Sequence, residues 1–134
     1  MGTQQLLMIV VGVVLVGIMI AVGLFLFRDQ AAATSRDSIS NDLVALATAS
    51  QKYYRRPATF GGGGNSFDGL SMSKLTTKPS NANGDYVLSP DPVSGGTTSI
   101  TITGTGKEIG NDGSAPVRLT MTVMADSIVL VTNN

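Results

Sequence analysis

The chain has 134 residues, nine Lys plus Arg against nine Asp plus Glu, and neither cysteine nor histidine. That length holds one modest domain beside any membrane segment, and the balanced charge argues against a general attraction to nucleic acid or anionic lipid. Without Cys or His there is no disulfide framework, no thiolate metal site and no imidazole base, while sixteen glycines with many Ser, Thr and Asn suit a turn-rich β domain.

Leu6 to Phe27 reads LLMIVVGVVLVGIMIAVGLFLF, with no charge, hydroxyl or amide. As a helix rising about 1.5 Å per residue it can cross a hydrocarbon core roughly 30 Å thick. Apolar on every side, it cannot rest against a small soluble domain, so it needs lipid or many copies of itself. The stretch exceeds the apolar core of a secretory signal and no Lys or Arg precedes it, so it reads as a retained helix. Gly12 and Gly23 fall nearly in line on that helix, and Gly17 and Ala21 mark another face. Two small-residue faces let several helices approach closely, although glycine is also common in membrane helices without a special role.

Residues 28–56 contain no proline and are rich in helix formers. Ile39, Leu43, Leu46, Ser50 and Tyr53 recur at the spacing of an amphipathic seam, with Asp37, Asn41, Asp42, Thr48 and Lys52 largely off it. Pro57 and the run Gly61 to Gly64 stop the helix. The expectation is one helix from about residue 3 to 56, apolar and then amphipathic.

From 57 to 85 the chain reads as an extended connection anchored by Phe60, Phe67, Leu70, Met72 and Leu75. The run Gly61 to Gly64 either forms a flexible linker or lets backbone approach the helix end closely. Strands follow. Tyr86 to Leu88 is short, and Thr97 to Thr105 alternates Ile with Thr. Asn111-Asp112-Gly113 marks a turn, Val117 to Val123 alternates again, and Ile128 to Val131 makes an apolar final strand. A small antiparallel meander needs a cover for its apolar face, and the stripe at Ile39, Leu43, Leu46 and Tyr53 is the candidate. The fold class is therefore α+β: a long N-terminal α-helix at 1–56, then a β-rich head at 57–134.

Other clusters carry less. Lys52, Arg55 and Arg56 beside Tyr53 and Tyr54 suit a helix C-terminus better than a nucleic-acid patch, and no nucleic-acid partner is expected. Asn81, Asn83, Asp85 and Asp91 offer oxygens, but at no cation-loop spacing and in ordinary turn chemistry, so no metal is assigned. No catalytic constellation or phosphate loop is legible, so neither an enzyme nor a cofactor is expected.

The order of parts, an apolar helix, an amphipathic continuation, a variable loop and a strand meander, resembles the type IV pilin family. The run from Gln5 to Ile18, QLLMIVVGVVLVGI, looks like the start of that family. Gln5 stands where the family carries a glutamate, keeping its shape and hydrogen bonding but not its charge. The resemblance implies a structural subunit held in the inner membrane, then extracted by pilus assembly machinery. It would polymerise with copies of itself into an extracellular, fimbrium-like filament on the cell surface. Gln5, Gly12, Gly17, Ala21 and Gly23 would pack the filament core. A secretion-system pseudopilin and a bitopic membrane-anchored binding domain are the alternatives.

Overall fold

The computed structural model describes residues 2–134. One helix, α1 (Gly2–Arg55), precedes a 3-10 turn at Ala58–Phe60, a one-turn helix α2 (Met72–Leu75) and four strands. These are β1 (Gly84–Ser89), β2 (Ser99–Ile109), β3 (Pro116–Met124) and β4 (Ile128–Thr132). They form a single antiparallel sheet in the order β1-β2-β3-β4, which makes the fold α+β as the sequence pattern implies.

The chain divides into one compact unit ending at Ala31 and a second, Ala32–Asn134. The outer part of α1 thus belongs with the sheet rather than with the apolar segment, so the head begins before residue 57. The reason lies in the seam. From Ala32 onward α1 carries Ala32, Ile39, Leu43, Leu46, Ala47 and Ser50 in buried positions. Ser50 is tolerated there because its hydroxyl donates to the Leu46 carbonyl at 2.8 Å.

The inner face of the sheet completes this core with Tyr86 and Leu88 of β1, Ile100 and Ile102 of β2, and Val117, Leu119, Met121 and Val123 of β3. Alternation sends Thr101, Thr103, Thr105, Thr120 and Thr122 to the other face, so one side is dry and the other half-wet. β2 runs past its expected end at Thr105, through Gly104 and Gly106. A Cβ at Gly104 would stand 2.5 Å from Ile39 Cγ2, and one at Gly106 would stand 2.7 Å from Ser35 Oγ. Two side-chain-free positions in one strand let the helix lie close on the sheet.

The connection 57–85 is more ordered than an extended loop. The run Gly61 to Gly64 is not a flexible linker: Gly61 and Gly62 close the 3-10 turn onto Ala58 and Pro57, and Gly63 and Gly64 cap α1. The amides of Gly63, Gly64 and Asn65 donate to the carbonyls of Tyr53, Arg56 and Tyr54 at 2.9, 2.9 and 2.8 Å, supplying partners that a helix end otherwise lacks. Phe67, Leu70 and Met72 enter the core and Leu75 packs at its border. Phe60 does not anchor anything, being 75 % exposed on the 3-10 turn. Val93, between two prolines and a glycine pair, is buried instead, and it exchanges backbone hydrogen bonds with Leu70 and Gly69.

β4 departs from the other strands. All five of its residues are exposed, although four of them are Ile, Val, Leu and Val. It is an edge strand, and the α1 seam does not reach over it.

Candidate assembly surface

In the unit ending at Ala31 the informative feature is what the side chains lack. Every large apolar residue from Leu6 to Phe27 is between 49 % and 77 % exposed. Gln5, Gly12, Gly17, Ala21 and Gly23 are exposed with them. A Cβ added at Gly12, Gly17 or Gly23 would meet nothing within 4 Å, so the space beside these glycines is open to a neighbour. The helix is long and apolar enough to cross a membrane. With neither charge nor hydrogen-bonding side chain between Leu6 and Phe27, this surface can do one thing chemically: exclude water against lipid or against other apolar helices.

In the unit Ala32–Asn134 the predicted packing residues divide. Ile39 and Leu43 are fully buried and Leu46 nearly so, all against the sheet. Tyr53 sits at the border of the core and turns to the connecting loop rather than to the strands. Its hydroxyl donates to the Asp68 carbonyl at 2.7 Å, and Lys74 Nζ lies 5.5 Å from its ring centroid. Tyr54 packs at a tilt on Phe67, with ring centroids 4.8 Å apart. Both tyrosines are thus engaged inside the head, and Arg55 reaches the Ala125 carbonyl.

The polar centre of this unit is Asp42, which reading along the helix placed simply off the seam. Its Oδ2 accepts from the Tyr86 hydroxyl at 2.5 Å, Asn83 Nδ2 at 2.9 Å and Asn81 Nδ2 at 3.0 Å. Asn81 in turn accepts the amides of Asn83 and Gly84, which shapes the approach to β1. Burial raises the Asp42 carboxyl, but the three donors outweigh it and hold the group below its ordinary value. Burial first, and then the bond and charge of Asp42, push the Tyr86 phenol well above its ordinary value. The oxygen-rich residues of this region therefore serve local structure. Asn81 and Asn83 direct amide donors at Asp42, Asp85 accepts from Ser80, and Asp91 accepts the Met72 amide at 3.4 Å. A cleft of about 250 Å³ opens beside this cluster, lined by Asp42, Leu46, Leu75, Lys78 and Asn81. The one sequence signal is indirect: a buried strand tyrosine needs a partner for its hydroxyl, without saying which residue supplies it.

Compared with protein-family models, curated proteins and solved structures, the chain gives no match in any of the three.

Proposed function

We propose that this protein is a structural subunit of a type IV pilus-like extracellular filament, assembled through the apolar part of α1. One observation carries the reading: from Leu6 to Phe27 the helix exposes large apolar side chains on every side, with open glycine positions among them. Each such side chain moved from water to a packed neighbour stabilises the assembly by roughly 1.5–3 kcal/mol. In lipid that gain is absent, so the membrane holds the subunit until machinery withdraws it and passes the helix to its neighbours. The head, with its Thr-rich outer face, then meets solvent.

A second reading has its own support. The unit Ala32–Asn134 has a contiguous core, as a binding domain anchored permanently by one span would. Replacing Gly12 and Gly23 together with Leu separates the two. The filament reading expects normal membrane insertion and loss of surface fibres; fibre yield equal to that of the unaltered chain contradicts it.

A further inference from the structure

The sheet has two edges, and only one is closed. Along β1 the segment Pro79–Asn81 lies on the edge: the Tyr86 amide donates to the Pro79 carbonyl at 2.8 Å and the Asn81 amide to the Gly84 carbonyl at 2.9 Å. β4 carries none of the devices that blunt an edge, having no Pro, Gly, Lys or bulge in Ile-Val-Leu-Val-Thr. The ladder shows which of its groups are free. Met124 donates to Ser127 and Asn133 to Arg118, each at 2.9 Å, and the paired residues between them alternate. Val129 and Val131 therefore bond to β3, and the N–H and C=O groups of Ile128, Leu130 and Thr132 point to the open side.

We infer that β4 is a contact between heads, pairing antiparallel with β4 of a second copy about a two-fold axis at Leu130. Continuation onto β1 of another copy is closed by Pro79–Asn81, so the open edge needs another open edge. The two-fold register satisfies the free groups: Leu130 exchanges both bonds with its own counterpart, and Ile128 does so with Thr132 of the second copy. Side chains match on both faces. Leu130 meets Leu130, and Val129 meets Val131, so the apolar surface left at 37–50 % exposure along the four residues Ile128–Val131 is covered by like surface.

Charge selects the same register. The exposed Asp126 precedes the strand, and at its other end Arg36 donates through Nε to the Asn134 carbonyl at 3.3 Å. Pairing centred on Leu130 brings Asp126, in the turn before β4 of one copy, toward the Asn134 end of the other, so each carboxylate approaches the charge of an Arg36. A shift of the centre to Val129 or Val131 moves Asp126 off that position and leaves fewer edge groups bonded. This contact uses β4 and not the apolar part of α1, and does not depend on the filament reading; a two-fold normal to the sheet reverses the covering helix, so under that reading it joins heads from two filaments rather than neighbours within one.

The chain has no cysteine, so single Cys variants report unambiguously. Leu130 is 40 % exposed, so Leu130→Cys leaves the core intact. In the proposed register the two Cα atoms lie about 5.5 Å apart, within disulfide reach. The full chain in detergent is oxidised with copper–phenanthroline and resolved on a non-reducing gel. Leu130→Cys should give about tenfold more linked dimer than Val87→Cys, an exposed control on β1 that only chance encounters would link. Adding Asp126→Arg to Leu130→Cys should lower the dimer about tenfold, since it sets like charge against Arg36. Equal dimer at both Cys positions, or no dimer at Leu130→Cys, overturns the pairing. A yield indifferent to Asp126→Arg overturns the register.

Discussion

Gly104 on β2 lies under Ile39 on α1 so closely that a Cβ there would stand 2.5 Å from Ile39 Cγ2 and 3.1 Å from Tyr86 Cε1. The helix seam and the sheet therefore meet at a point where one partner must have no side chain. Gly104→Ala should destabilise the Ala32–Asn134 unit by about 1–3 kcal/mol through overpacking. Ile39→Ala alone should cost about 2–5 kcal/mol by leaving a cavity. The double variant should cost less than the sum, because each change makes room for the other. Denaturant unfolding of the three variants measures this; strict additivity would show that the two residues do not share one space.

Asp42 and Tyr86 form the second tie between α1 and the sheet. Tyr86→Phe should cost about 1–2 kcal/mol, and Asp42→Ala about 2–3 kcal/mol because it also strands the amides of Asn81 and Asn83. Tyr86→Phe made in an Asp42→Ala background should add little. Amide exchange across β1 reports the loosening directly, and it should rise in either single variant.

The turn between β2 and β3 predicts a pH dependence. Asp112 accepts the amides of Ser114 and Ala115, both at 2.9 Å, and these bonds lower its carboxyl from 3.8 to about 2. The folded state thus holds its negative charge to lower pH than the unfolded chain does. Stability from this group is complete above the unfolded value and is lost as pH falls from about 4 to about 2; Asp42 acts in the same direction. Asp112→Asn keeps an acceptor but cannot titrate, so its unfolding midpoint should decline less steeply over that range. Parallel declines would remove Asp112 from the account.

Gly63 gives a test of the helix cap. Its amide reaches the Tyr53 carbonyl at 2.9 Å, and a Cβ there would run into the Ser66 carbonyl. Gly63→Ala should therefore release the cap, cost about 1–3 kcal/mol, and speed exchange of the Gly64 and Asn65 amides.

Where periodicity governs, the fold was legible. The seam Ile39, Leu43, Leu46 and the alternating Ile100, Ile102, Leu119, Met121 follow from the 3.6 and 2.0 repeats, which depend only on backbone geometry. What escaped are features set by contacts between distant residues. Gly104 and Gly106 look like strand breakers until Ile39 and Ser35 are seen above them. Asp42 looks solvated until Asn81, Asn83 and Tyr86 converge on it. Ile128 to Val131 looks like core, because an apolar run does not reveal that the covering helix is too narrow to reach a fourth strand. The open surface from Leu6 to Phe27 is the converse case, legible because it depends on composition and not on any partner within the chain.

That surface carries the central claim, and electron microscopy of material sheared from the cell surface tests it most directly. The account predicts thin fibres that contain this chain, with a mass per length set by stacked copies of it, and their loss when Gly12 and Gly23 are both Leu. Recovery of the chain only as monomers from detergent-solubilised membranes, with no fibres in the sheared fraction, would contradict it.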